Sequence, residues 1–310
     1  MKLLFTNTGR RTYMVEFAKK IIRSKVLVSD SQNIVPTFYI DGIKKYIMPK
    51  VKNNENKYIK KLESLVKKIK IKKIIPLSDH DLIILAENRL KFERFGCDVV
   101  ISDPSLVKMC MNKKKMYYFC KKNKISTPVS IFSNKEKILS FPLLKKKIFG
   151  SGSDGIEEIK NNIKLNKINF NKFFLKKKIK GTEYGIDIFN DPKNNVSRIC
   201  IKKKFLMRAG ETDRSILVKD KKIQFFANKL IKILNHYGNI DCDVLKDKNG
   251  KIFLIDINPR FGGGYPATHL GGMNFLKYIL TNGKFKLPKT YKKIIVSKGI
   301  SLYSKSKIHK

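Results

Sequence analysis

The stretch IFLIDINPRFGGG, residues 252–264, decides the fold. Its apolar run is broken by Asp256, Asn258, Pro259 and Arg260, and then by three glycines. Upstream lies NIDCDVLKDKNGK (239–251), in which Asn249-Gly250 is a strong hairpin signal favouring a two-residue type I′ turn. In that register Lys248 pairs with Lys251, Asp243 faces Asp256, and Asp241 faces Asn258. Alternation then puts Asp241, Asp243, Asp256 and Asn258 on one face, with Phe253, Ile255 and Ile257 on the other. Opposed carboxylates whose Cβ atoms lie roughly 4.5–5.5 Å apart repel each other. A hard divalent cation removes that objection, because Mg²⁺ takes one or two carboxylates and completes its shell with phosphate oxygens and water. The competing reading is a solvent-exposed acidic face, weakened by the Pro-Arg-Gly sequence that follows at once. A three-residue loop would break the facing pair.

Working outward, residues 1–104 alternate strand and helix patterns: KLLFT, then a helix over YMVEFAKKII; KVLVSD; a helix over NKYIKKLESLVKKIK; KKIIPLSDHD; a helix over LIILAENRLKFERF; CDVVISD. Such alternation predicts parallel βαβ units in an open α/β sheet, with ligands at the carboxyl ends of the strands. Polar residues stand at those ends: Thr8, Arg10 and Arg11, Asp30, and Asp79 with Asp81. Beyond residue 104 the pattern becomes α+β. A helix is expected over PSLVKMCMNKKKMYYFCKKN and strands over ISTPVSIF, KFFLKKKIKGTEYGIDIF and VSRICIKKKFLMRAG. IQFFANKLIKILNHYG reads as a helix, as does 274–281, and the chain ends in a basic tail from 286. Lysine runs such as IKKKF read as solvated strand edges and loops.

Three further motifs carry chemistry. KKKIFGSGSDGI (145–156) reads as a strand, a Gly/Ser loop and a helix start; its backbone N–H groups suit phosphate oxygens. It lacks the GK[ST] of a Walker loop, and taken alone it reads equally well as a flexible hairpin loop. GTEYGID places Glu183, Gly185 and Asp187 on one strand face, and a lone Glu there reads as easily as a surface residue. FLMRAGET puts Arg208 at a strand end.

In order these motifs resemble the ATP-grasp superfamily, in particular stand-alone proteins similar to the carbamoyl-phosphate-synthase large-subunit repeat. DINPRFGGGYPATHLGG carries most of the resemblance, which covers nearly the whole chain and says nothing of the substrate. It implies an N-terminal pre-ATP-grasp α/β domain (1–104), a small lobe with the glycine-rich flap (105–178), a catalytic lobe (179–285) and the tail (286–310). It also implies roles. Lys113 and Lys146 would contact ATP phosphates, and Ser151, Gly152 and Ser153 would form a flap over them. Glu183 would hold the ribose hydroxyls, and Asp243, Asp256 and Asn258 would hold Mg²⁺ or Mn²⁺. Arg260 with Arg208 would hold the transferring phosphoryl group and the acceptor's carboxylate, while Arg10, Arg11 and Asp79 become acceptor-site candidates. The implied activity is a ligase forming an acyl phosphate and passing it to an amine or ammonia, with a homodimer as an assembly common in the family. Three departures stand out: Lys176–Lys177 where an acidic or Gln-Glu pair usually contacts adenine, Asp256 where Glu is usual, and Asp154 at a position usually basic.

Composition bounds the rivals. The net charge is +43, yet of 68 basic residues only nine are Arg. Lysine is spread evenly, which reads as compositional bias rather than a specific nucleic-acid surface, because readers of nucleic acid lean on Arg. The remaining alternatives are carbamate or bicarbonate phosphorylation, an ATP-binding pseudo-enzyme, and a basic nucleic-acid-binding protein. Five cysteines without metal-type spacing read as buried free thiols, and the lack of a signal peptide or spanning segment points to the cytoplasm.

Overall fold

A computed structural model describes residues 1–22, 25–136, 140–150, 155–161, 165 and 168–299. Strands β1 (Leu3–Thr6), β2 (Val26–Asp30), β3 (Lys44–Ile47), β4 (Lys73–Pro76) and β5 (Asp98–Val99) form a parallel sheet ordered β3-β2-β1-β4-β5. Every residue of β1 and β2 is buried, as a sheet covered on both faces requires. Alternation sends Leu3 and Phe5 to one core and Leu4 to the other. The covering helices are α1 (Thr12–Ile21), α2 (Glu55–Ile69), α3 (Leu82–Glu87) and α4 (Arg89–Arg94). The single helix expected over 82–95 breaks at Asn88, whose amide nitrogen donates back to the Ile84 carbonyl at 2.9 Å. β3 has no counterpart in the sequence reading, because it is a largely exposed, lysine-bearing edge strand with no inward apolar period. Strand order reverses between β1 and β4, so their carboxyl ends open a crevice of the kind that binds ligands.

The next segment begins with α5 (Pro104–Met111) and α6 (Lys113–Lys122). They were expected as one helix; Asn112 divides them and caps α6, its side chain accepting from the Lys114 and Lys115 N–H groups at 3.0 Å. Strands β6 (Ser130–Ile131), β7 (Leu143–Lys147), β8 (Glu157–Ile159) and β9 (Phe173–Lys177) form a small sheet ordered β6-β9-β7-β8. The helix expected after the glycine loop is instead β8. There Glu157 pairs with Lys145 at 2.6 Å, Glu158 pairs with Lys178 at 2.5 Å, and Ile159 enters the small core.

The last lobe contains β10 (Thr182–Asp191), β11 (Val196–Arg208), β12 (Glu211–Leu217), α7 (Lys221–Leu234), β13 (Gly238–Lys246), β14 (Ile252–Asn258), α8 (Tyr265–Leu270), α9 (Phe275–Leu280) and β15 (Ile295–Ser297). Its antiparallel sheet runs β14-β13-β10-β11-β12-β15. One face is held by α7, whose Ile223, Ala227, Leu230 and Leu234 pack on Ile186, Ile188, Ile240 and Leu254. The other face looks into the cleft described below. The basic segment from 286 is more than a tail, since Ile295–Ser297 adds an edge strand to β12. All five cysteines are buried free thiols. Among the described residues no helix is long and apolar enough to cross a membrane.

Candidate functional site

The hairpin that positions the acids reaches the expected register by another route. Asp247 and Lys251 close a three-residue loop: the Asp247 N–H donates to the Lys251 carbonyl, and the Gly250 N–H to the Asp247 carbonyl, both at 3.0 Å. Gly250 takes the left-handed conformation the turn needs, at φ +77°. Asp247 fixes the loop by accepting from the N–H groups of Asn249 and Lys251 at 2.9 and 2.8 Å. This loop sets Lys246 opposite Ile252 and Val244 opposite Leu254. A bulge at Ile255 then supplies one extra residue, so that Asp243 faces Asp256 and Asp241 faces Asn258. The bulge also corrects the expected apolar face. Leu254 and Ile257 are the residues buried in the core, Ile255 lines the cleft, and Phe253 is half-buried under the Lys251 ammonium.

The cleft lies between the two antiparallel sheets and encloses about 280 Å³. Lys113, the first residue of α6, pairs with Asp256. Its backbone N–H donates to the Ile148 carbonyl at 3.0 Å, which ties the helix start to the glycine-loop strand. Glu183 and Asp243 share one counter-ion: the Lys204 ammonium stands 2.7 Å from Glu183 Oε1 and 2.6 Å from Asp243 Oδ1. Burial nonetheless pushes the Asp243 and Asp241 carboxyls above their usual range. Lys146 lines the same cleft; burial, reinforced by Lys113, lowers its ammonium below the usual range. Gly150 also lines it, while Ser151, Gly152, Ser153 and Asp154 lie outside the described residues.

The lysine pair at the end of β9 separates. Lys177 is exposed, whereas Lys176 lies within β9, buried in the cleft, with its ammonium 3.5 Å from the Ile255 carbonyl at the bulge. Burial, then Lys146 and Lys113, push Lys176 down to about 7 from 10.5. The sign follows directly: between these two values the unfolded chain holds a proton the folded one does not, so this group makes stability rise with pH. Denaturant midpoints of wild type and Lys176→Met, compared across that window, are expected to show wild type gaining on the variant as pH rises. A constant difference would contradict the placement of Lys176.

At the far end the cleft meets the crevice of the parallel sheet. Arg260 binds Asp79 through both Nε (2.7 Å) and Nη2 (3.1 Å), and Arg11 donates to the Phe261 carbonyl at 2.7 Å. The glycines after Arg260 are sterically required. A Cβ on Gly262 would sit 2.2 Å from the Asp241 carboxylate, and one on Gly263 would sit 2.7 Å from Glu211. Gly262→Ala is therefore expected to lower activity by displacing Asp241 and the loop, with a smaller change in melting temperature; unchanged kinetics would refute that packing. Arg208 is not brought to this place. It is more than half exposed and pairs with Asp213 at 3.3 Å, outside the cleft.

The lysines of IKKKF, expected at solvated edges, partly face inward: Lys202 is buried and Lys204 lines the cleft. Period-two alternation aims Lys202 and Lys204 inward, and Gly185 on β10 leaves space for both, a Cβ there lying 3.2 Å from each Cε. The lysines follow the three apolar residues Ile199, Cys200 and Ile201 in β11, a signal that this strand enters a core rather than an edge. Glu211 was also unassigned, and it lies against Arg11 at 3.4 Å and Lys298 at 3.3 Å.

The arrangement suits a hard divalent cation. Among the described residues no three His, Cys, Asp or Glu side chains are placed to hold a metal ion by themselves. The protein thus offers two opposed carboxylates and the Asn258 amide, the sparse oxygen set that Mg²⁺ accepts when phosphate and water complete its shell. Lys113 and Lys146 line the cleft beside these acids, a charge pattern that would suit a polyphosphate.

Comparisons with known proteins match this fold. Residues 110–264 match the model of the ATP-grasp domain, and residues 3–100 that of the PylC-like N-terminal domain. An uncharacterised protein of Methanocaldococcus jannaschii is 25% identical over 240 residues, 74% of this chain; the match spans only 61% of that relative. Among solved structures, an L-amino acid ligase from Bacillus licheniformis superposes with a TM-score of 0.70 at 17% identity, covering 91% of this chain and 73% of that one. N5-carboxyaminoimidazole ribonucleotide synthetase from Thermotoga maritima gives 0.71 at 17%, covering 95% and 79%. The biotin carboxylase domain of 2-oxoglutarate carboxylase from Hydrogenobacter thermophilus, solved with MgADP and bicarbonate, gives 0.73 at 15%, covering 94% and 71%. At these identities the likeness establishes the shared fold.

Proposed function

The chain belongs to the ATP-grasp family, and from that premise we propose that it is an ATP- and Mg²⁺-dependent ligase joining a carboxylate to an amine. The observation that carries this reading is the opposed pair Asp243–Asp256, set beside Lys113 and Lys146 in a cleft that runs on to Arg260. Lys113 and Lys146 would hold the phosphates, Glu183 the ribose hydroxyls, and Asp243, Asp256 and Asn258 the metal. When bound, Mg²⁺ supplies neutralisation of charge on the phosphate oxygens. A substrate carboxylate oxygen bonds to the γ-phosphorus as the bond to the bridging oxygen breaks and ADP departs. The amine nitrogen then attacks the acyl carbon, phosphate leaves, and the nitrogen loses its proton. Phosphoryl transfer of this kind needs positioning and charge stabilisation rather than a nucleophilic side chain, which matches a site of lysines, an arginine and acids.

Proteins of the same fold are named as an L-amino acid ligase and as an N5-carboxyaminoimidazole ribonucleotide synthetase. The test is a hydroxylamine trap. With MgATP, a panel of carboxylic acids and hydroxylamine, ADP release and hydroxamate are expected to appear together and to depend on the acid. ADP release indifferent to every acid would overturn the ligase reading.

A further inference from the structure

We infer that the carboxylate substrate carries a second anionic group, held where Arg10, Arg11 and Lys298 converge on Glu211. The inference rests on the ligase reading above, which it extends from reaction to substrate class. A second pocket of about 410 Å³, lined in part by Arg10, Tyr13 and Lys298, adjoins the nucleotide cleft, and Glu211 lines both. It stands near the reversal point of the parallel sheet, because Arg10 and Arg11 lie on the loop between β1 and α1.

The charges there are unequal. Glu211 Oε1 lies 3.4 Å from Arg11 and 3.9 Å from Arg10, and Oε2 lies 3.3 Å from Lys298. Among the described residues three cations share that one carboxylate, and each also donates to a neutral carbonyl: Ala209 for Arg10, Phe261 for Arg11 and Gly263 for Lys298. The nearby Arg208–Asp213 pair cancels itself, and with Glu16 also on the lining the four cations Arg10, Arg11, Arg208 and Lys298 still outnumber the three carboxylates Glu16, Glu211 and Asp213. Arg260 and Asp79 likewise satisfy each other. Arg10 is half exposed and can exchange the Ala209 carbonyl for a ligand, whereas Arg11 is buried and held by Phe261. The buried Tyr13 hydroxyl has no hydrogen-bond partner among the described residues; it lies in the field of Arg11 and Glu211 and remains a donor.

A substrate reaching from the phosphoryl group at Arg260 to this cluster places its reacting carboxylate in one cleft and its second anion in the other. A general attraction of anions to a chain of net charge +43 does not produce this selectivity, because one arginine among 68 basic residues hardly changes the long-range field.

The hydroxylamine trap is run with matched acids: butyrate against succinate and glutarate, alanine against aspartate, glycerate against 3-phosphoglycerate. At least one dianionic acid is expected to exceed its monoanionic counterpart roughly tenfold or more in kcat/KM, the scale of one charge-assisted contact. In Arg10→Ala that advantage should collapse through KM for the acid, with KM for ATP moving far less, and Arg10→Lys should restore part of it. Equal use of mono- and dianionic acids, or a preference that survives in Arg10→Ala, overturns the inference and leaves the ligase reading intact. If no acid gives hydroxamate, the ligase reading falls. Calorimetric titration of the same acids into the MgADP-loaded protein then decides the anion site: tighter succinate than butyrate, lost in Arg10→Ala, supports it, and equal affinities overturn it.

Discussion

Asp256→Ala is expected to abolish ADP formation while the chain stays folded. Asp256 opposes Asp243 across the hairpin, accepts from the Ile257 N–H at 2.8 Å and pairs with Lys113. Removing it deletes half of the facing carboxylate pair and releases the lysine assigned to the phosphates. Metal-borne charge stabilisation supplies several kcal/mol in reactions of this kind, and each ~1.4 kcal/mol is a factor of ten. The expected loss is therefore on the order of a thousandfold or more. Fold should survive, because the side chain faces the cleft and the hairpin is held by Leu254 and Ile257 in the core. Asp256→Asn separates the effects, since it keeps the volume and one ligand oxygen while losing the charge. It should fall between wild type and Ala at saturating Mg²⁺. ADP release by Asp256→Ala at the wild-type rate would remove this residue from the site.

Much of this site was legible in local sequence. Asp243, Asp256 and Asn258 share a face because strands alternate, and Lys113 and Lys146 sit beside recognisable breaks. The reason for the register was not legible. A two-residue turn and a three-residue turn followed by a bulge give the same acid pairing, and only the backbone distinguishes them. The contacts at Arg260 were still less accessible, because its partner Asp79 lies 181 positions away. Period-two alternation was available within IKKKF, but a run of like charges resembles a solvated face until Asp187, Glu183 and Asp243 are seen opposite. β8 was lost for a related reason. Its glutamates suit a helix start, and the lysines that hold them in a strand come from β7 and just beyond β9.

Those opposed charges make Lys202 the residue whose loss should most harm stability. It is fully buried, with its ammonium 2.5 Å from Asp187 Oδ2 and 3.8 Å from Asp241 Oδ1. Asp187 also accepts from Thr268 and from Asn239, the latter at 3.3 Å. Burial alone would lower the Lys202 ammonium, but Asp187 and Asp241 more than offset this and hold it above its ordinary range. A raised value means stability that is fully present below the unfolded value of 10.5 and lost only as pH climbs through the folded one. At neutral pH the pair is therefore at full strength. Lys202→Met removes the cation and leaves the Asp187 charge fully buried. Breaking one partner of a buried pair costs about 3–5 kcal/mol, which lowers a melting temperature by on the order of 10 °C in a domain of this size. Lys203→Met, one residue away on the opposite face, should stay within about 0.5 kcal/mol of wild type. Lys202 also lies beneath the glycine loop, where a Cβ on Gly264 would come within 3.3 Å of its Cε, so the variant that folds should lose acceptor binding before nucleotide binding. Equal melting temperatures for the Lys202 and Lys203 variants would mean that the Lys202–Asp187 pair does not hold the sheet to the loop that follows Arg260.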